Sequence, residues 1–242
     1  KNILIPTDFS VNSWNATKYA LAFFKNTQCN FYLLHVTFIS NFASGDTPLI
    51  PTDNVIEKTL LTQAKNSLNQ LIKKIKKTAL NPNHNFYAIS KYDFFIDAIR
   101  NEIKEKKITL VVMGTKGASG LNEVIVGSNT GDLITQVHCP VLIIPENSVF
   151  KVPKEIAFPT DYTNYYEAKL LHYVTSKSGY NNAAVRFLYL NKFSETLNKE
   201  QLWNKETLKD YFADKQHSFH SGTNKNLEES FILYFISSDV KC

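Results

Sequence analysis

Residues 1–13 read KNILIPTDFSVNS, and residues 154–166 read KEIAFPTDYTNYY. Each stretch runs from a short apolar segment through Pro-Thr-Asp to an aromatic residue and a hydroxyl. Ile3–Ile5 is too short for a helix and apolar on consecutive positions, the mark of a strand buried on both faces. Trp14, Lys18, Leu21 and Ala22 then follow at helical spacing, so Pro-Thr-Asp sits on a strand-to-helix turn. Its return about one domain length later points to internal duplication.

Read outward from this turn, the first 147 residues keep alternating. Apolar runs at Phe31–Val36, Phe86–Ile89, Leu110–Met113 and Val141–Ile144 are separated by segments of period three to four. These helical segments are Ile56–Ile75, Phe95–Ile103 and Ser128–Val137. Five strands alternating with helices predict an open parallel sheet covered on both faces, with right-handed crossovers. Phe38–Asp53, with Gly45, Pro48 and Pro51, reads as a long loop. Pro145–Glu155 carries two prolines and no period, and reads as a linker.

The pattern then restarts. Ile156–Phe158 and Val185–Leu190 match the first two strands; Ala168, Leu171 and Val174 match the first helix, and Leu202–Phe212 the second. NLEESFILYFI stands in place of the third helix. The expected domains are 1–147 and 153–242, the second ending at Cys242 before the last two strands, the glycine loop and the final helix.

Bulk properties exclude several classes. The 242 residues are 43% hydrophobic and 20% charged, as in an ordinary globular chain. No apolar run reaches the roughly 18–20 residues that span a bilayer, and no leader-like segment precedes Ile3, so a cytoplasmic protein without a membrane partner is expected. Cys29, Cys139 and Cys242 form no CxxC pair, against a zinc site or redox dithiol. The net charge of +5 is spread out, its densest stretch being IKKIKK at 72–77, which reads as the solvated side of a helix; nucleic acid is not an expected partner.

The chemistry concentrates in VVMGTKGASGLNEVIVGSNTGDLI, residues 111–134. Gly114 ends a buried strand, at the edge of a parallel sheet where ligands bind. Gly127-Ser128 opens the last helix, whose unpaired N–H groups and dipole favour an anion. The spacing is Gly114-x2-Gly117-x9-Gly127-Ser128. It lacks the Gly-Lys-Ser/Thr of a Walker loop, and Gly114, Gly117 and Gly120 are spaced evenly by three, unlike the dinucleotide GxGxxG. On the residues alone, ligand loop and simple turns remain equally open.

With ILIPTDFS, the glycine spacing and the closing HCPVLIIPE together, residues 1–147 resemble the universal stress protein family; the second half resembles it through IAFPTDYT, as in its tandem members. The resemblance implies a Rossmann-like fold of the adenine nucleotide alpha hydrolase type, duplicated, and an adenine nucleotide at the strand ends: ATP, with or without Mg2+. It implies that Asp8 contacts the nucleoside, that the Val36 backbone meets the adenine, and that Gly114 and Gly117 approach ribose and phosphates. Gly127, Ser128, Asn129 and Thr130 would close on the phosphate tail, with Pro6, Thr7 and Met113 beside them. Asn129 and Thr109 depart from the family pattern, which often has a small apolar residue at the first position and Asp at the second.

Simpler roles stand beside these. Asp8 or Ser10 can cap the first helix. Lys116 reads as a phosphate neighbour or a solvated lysine, Asp161 as structural, His35 as a hydrogen-bonded strand-end residue, and His138 and Cys139 as packing. With no catalytic pair legible, the expectation is a stress-response binding module, not an enzyme, and a homodimer through an exposed Val141–Ile144 edge. The alternative is an interaction scaffold that binds no nucleotide; a nucleotide-dependent transferase lacks a legible catalytic constellation.

Overall fold

The structure, a computed structural model, describes residues 1–37, 53–78, 81–115, 127–168, 171–172, 183–191 and 196–223. The chain forms two compact units, Lys1–Phe150 and Lys151–Cys242. In the first, β1 (Asn2–Pro6), α1 (Val11–Phe23), β2 (Asn30–Thr37), α2 (Asp53–Thr78), β3 (Asn85–Tyr92), α3 (Phe95–Glu105), β4 (Leu110–Gly114), α4 (Ser128–Gln136) and β5 (Val141–Ile144) alternate as expected. The five strands are parallel, in the order β3-β2-β1-β4-β5. The loop expected at Phe38–Asp53 lies, apart from Asp53, outside the described residues.

Burial explains why the short apolar runs are strands. Ile3, Leu4 and Ile5 are all fully buried, Leu4 on the face that α3 and α4 cover with Ile99 and Leu133, joined by Val137 just past α4. Burying each such side chain contributes about 1.5–3 kcal/mol. On the opposite face Phe31 stacks on Phe86 and meets Phe24 and His84 edge-on. Register at the start of the strands is pinned by an asparagine ladder: Asn30 Nδ2 donates to Asn2 Oδ1 at 2.9 Å, and Asn85 Nδ2 to Asn30 Oδ1 at 3.0 Å.

The segment read as a linker is ordered against the first unit in its early part. Asn15 Nδ2 donates to the Ser148 carbonyl at 3.0 Å, and Phe150 packs edge-on against Tyr19 and Phe23. Phe150 thus anchors what its proline-flanked sequence suggested was loose chain, and Glu155 already begins the next strand.

The second unit holds β6 (Glu155–Pro159), β7 (Ala184–Asn191), α5 (Lys199–Tyr211) and β8 (His217–Thr223), with parallel strands in the order β6-β7-β8. Its core gathers Tyr162, Leu171, Val185, Phe187, Leu208 and Phe212. Asn198 and Gln201 form a reciprocal capping box that sets the start of α5. β8 was not expected, because HSFHSGT has one apolar side chain, Phe219, which stacks on Phe187. Val174 and NLEESFILYFI lie outside the described residues.

Candidate functional site at the strand ends

The turn after β1 is built by its own side chains. Thr7 N–H continues the ladder to the Leu34 carbonyl at 2.8 Å, and Thr7 Oγ1 accepts from Phe9 N–H at 3.1 Å. Asp8 Oδ1 accepts from Ser10 N–H at 3.0 Å, and Phe9 takes a left-handed φ of 63°. Ser10 is the N-cap of α1, accepting from Ser13 N–H at 3.2 Å, so capping falls to Ser10 and not to Asp8.

At the far side of β4, Gly127 N–H donates to the Thr115 carbonyl at 2.8 Å, which brings the start of α4 to the end of the strand. Thr130 is 1% exposed; its hydroxyl donates to the Gly114 carbonyl at 3.1 Å and lies 3.5 Å from the Thr115 carbonyl. Thr130 therefore fixes the helix to the strand, and its hydroxyl is already committed. Gly127, the N-cap of α4, has no side chain with which to cap it. The first amides of a helix have no acceptor within it, and the dipole is positive there.

Between these elements lies a cleft of about 190 Å³. Pro6, Thr7, Asp8, Val36, Met113, Gly114, Gly127, Ser128, Asn129 and Thr130 all line it. Of the expected site residues only Gly117 is missing from this set; it lies, with Lys116 and Gly120, outside the described residues. Gly114 has a packing reason as well as a site reason: a side chain there would reach the Asn12 backbone of α1 at 3.4 Å.

Ser13, Leu34, His35 and Phe95 also line the cleft and were not among the expected binding residues. Their signal was positional. Leu34 and His35 immediately precede Val36, Ser13 is in the first turn of α1, and Phe95 opens α3 just past the end of β3. His35 Nδ1 lies 2.8 Å from the Thr7 carbonyl, and because a carbonyl only accepts, Nδ1 carries the proton. The Phe9 ring packs 4.7 Å from the His35 ring.

The second unit repeats the turn with a different surround. Thr160 N–H reaches the Leu188 carbonyl at 3.0 Å, Thr160 Oγ1 accepts from Tyr162 N–H at 2.9 Å, and Asp161 Oδ1 accepts from Thr163 N–H at 3.0 Å. Tyr162 has φ 59°. Here the aromatic residue is 1% exposed, against 40% for Phe9. Tyr166 OH bonds Thr160 Oγ1 at 3.0 Å, as Thr7 Oγ1 bonds the hydroxyl of Ser13 at 3.1 Å. A bulky ring thus stands where the first unit has a small cleft-lining serine. Gln201 and Asn204 of α5 donate to the Asp161 and Tyr162 carbonyls, both at 2.8 Å. Hydrogen bonds from the Thr163 backbone and hydroxyl hold the Asp161 carboxyl below its ordinary pKa, and burial pushes the Tyr162 phenol up to about 12.

Cys29 and Cys139 are free thiols, and burial raises the Cys139 pKa to about 11, in keeping with packing. Among the described residues no cluster of His, Cys, Asp and Glu is arranged to hold a metal ion, and no helix is long and apolar enough to cross a membrane.

Residues 1–145 match the universal stress protein family. Universal stress protein MJ0531 of Methanocaldococcus jannaschii is 32% identical over 149 residues, which cover 60% of this chain and 81% of the relative. Among solved structures, hypothetical protein MJ0577 superposes with a TM-score of 0.50 at 24% identity, over 62% of this chain and 98% of its own. A universal stress protein from Archaeoglobus fulgidus superposes with a TM-score of 0.68 at 16% identity, over 98% of this chain and 84% of its own. At these identities the two structures speak for the fold.

Proposed function

Because the chain belongs to the universal stress protein family, we propose that its first unit binds ATP in the strand-end cleft and serves as a regulatory module, not as an enzyme. Asp8 and the Val36 backbone take the nucleoside, Gly114 and Gly117 the ribose and inner phosphates, and Gly127 to Thr130 the phosphate tail. The observation that carries this reading is the convergence, on one cleft, of every described residue expected to bind. A helix dipole supplies only about 0.3–1 kcal/mol, and micromolar affinity needs about 8. Charge-assisted bonds from the Ser128 and Asn129 amides, at about 1.5–3 kcal/mol each, and burial of the base supply the remainder. A divalent ion such as Mg2+ would travel with the phosphates.

Isothermal calorimetry with ATP tests the reading. Binding to the full chain, weakened at least tenfold by Gly117→Val, supports it; no binding, or equal binding by the variant, refutes it.

The scaffold reading applies to the second unit, which we take as a tandem copy of the first. There the ring of Tyr162 and the α5 side chains occupy the turn's surroundings, and the reading gives this unit no nucleotide. We also propose a cytoplasmic homodimer formed through β5, whose one partner among the described strands is β4. A strictly monomeric mass in light scattering at high concentration would count against it.

A further inference from the structure

Phe95 opens α3 three, four and seven positions before Ala98, Ile99 and Glu102, so it heads the stripe that this helix buries. Those three are closed off, at 1%, 0% and 1% exposure. Phe95 is only half-buried, although it packs on the same apolar cluster as Ile99. A ring that served the core alone would be covered like the residues below it. Phe95 instead lines the strand-end cleft.

Strand register fixes where this residue stands. Val36 pairs with Lys91 and Thr37 with Tyr92, and Asp93 N–H reaches the Thr37 carbonyl at 3.2 Å. The chain therefore leaves β3 level with the end of β2 and turns into α3, which packs over β2. Phe95 begins its helix at the height of Val36. Leu34 and Val36 line the cleft with it and belong to the same apolar cluster. Gly114 and the start of α4 lie at the end of β4, two strands from β2, about 10 Å away at the ordinary strand spacing.

We propose that Phe95 is the residue on which the base of the nucleotide stacks, and that it makes the cleft prefer a purine to a pyrimidine. The inference rests on the ATP reading above, which gives the base only the Val36 backbone. A backbone amide and carbonyl meet the edge of a base and leave its faces bare. An aromatic ring covers a face.

Ring pairs attract beyond the area they bury, through dispersion and the alignment of their quadrupoles. Stacking on an aromatic side chain strengthens binding by about five- to 140-fold per base. The gain grows with the area of overlap, so the fused rings of a purine gain more than the single ring of a pyrimidine. Stacking reads no hydrogen-bond pattern. Phe95 thus selects ring size, and the Val36 backbone reads the edge.

The test is calorimetry of the full chain with ATP and with CTP, for the wild type, Phe95→Leu and Phe95→Tyr. Leucine keeps an apolar side chain on the core cluster and removes the ring; circular dichroism checks the fold. Phe95→Leu is expected to weaken ATP about tenfold, while CTP, weaker from the start, loses less than threefold or is bound by neither chain. Phe95→Tyr, which restores the ring, should hold ATP within about twofold of the wild type. Gly117→Val, acting on the phosphates, should weaken both nucleotides alike. In the wild-type chain, ATP should shift the Phe95 ring-proton resonances through the ring current of the base, and tripolyphosphate should not. Unchanged ATP affinity in Phe95→Leu, equal losses in the leucine and tyrosine variants, equal affinity of the wild type for ATP and CTP, or ring resonances indifferent to ATP would overturn the inference and leave the ATP reading standing. Failure of ATP to bind the wild type would overturn both.

Discussion

Thr130 joins the two elements that frame the cleft, and removing its hydroxyl is the most direct structural perturbation. Thr130→Val keeps the shape of the side chain and deletes the donor that satisfies the Gly114 carbonyl at 3.1 Å. At 1% exposure, water does not replace it. A made hydrogen bond is worth about 0.5–1.5 kcal/mol net, but an orphaned buried acceptor costs about 1–3. The second figure applies, because the carbonyl stays behind. In a unit of this size each kcal/mol moves the midpoint by about 2–4 °C, so the first unit should melt about 2–12 °C lower. Trp14 and Trp203 are the two tryptophans, one in each unit. Trp203→Phe in the background lets Trp14 fluorescence report the first unit alone in thermal or urea unfolding. Thr130→Ser, which restores the donor and loses a methyl group, should recover part of the loss. A valine variant as stable as the wild type would refute the assignment of that hydroxyl.

Three further outcomes follow from the two turns. Ser10→Ala removes the N-cap of α1 and should cost about 0.5–2 kcal/mol in urea unfolding, whereas Asp8→Asn should cost less. The raised Tyr162 pKa means that its contribution is fully present below the unfolded value of 10.0 and lost as pH rises through about 12. The second unit should therefore weaken over that window, and Tyr162→Phe should flatten the loss, as read by Trp203 fluorescence. Asp161 has the opposite sign: its lowered pKa contributes stability above the ordinary value of 3.8 that disappears as pH falls through the folded value. Asp161→Asn should be less stable than wild type at neutral pH and converge with it in acid; a constant difference would count against the Thr163 bonds as its source.

Much of the first unit was legible because buried parallel strands need unbroken apolar runs and their helices need one apolar stripe. Ile3–Ile5 and Val141–Ile144 are strands for this reason, whereas the order β3-β2-β1-β4-β5 comes from the structure. Gly114 and Gly127-Ser128 were legible from the same logic, as a strand end and a helix start, whereas Asp8, Val36 and the other site residues came from the resemblance to the family. Ser13 and Phe95 escaped because each lies in a helix start, where sequence shows a cap or a core residue and not the direction it faces. Gly114 was legible as a glycine needed at that place, but its contact with Asn12 on α1 depends on tertiary approach. β8 escaped because its pairing rests on backbone bonds to β7 and on one stacked phenylalanine, neither of which leaves a hydrophobic run. The closure of the second turn by Gln201 and Asn204 joins residues far apart in sequence, with no local signal.

The central claim is that the amides opening α4, at the mouth of the cleft, hold the phosphates of an adenine nucleotide. Its most direct measurement is a crystal structure of the full chain grown with ATP and Mg2+. The account predicts phosphate oxygens within about 3.2 Å of the Ser128 and Asn129 nitrogens and the adenine beside Val36. A fully occupied nucleotide bound elsewhere, or a cleft that stays without one at millimolar ATP, would contradict it.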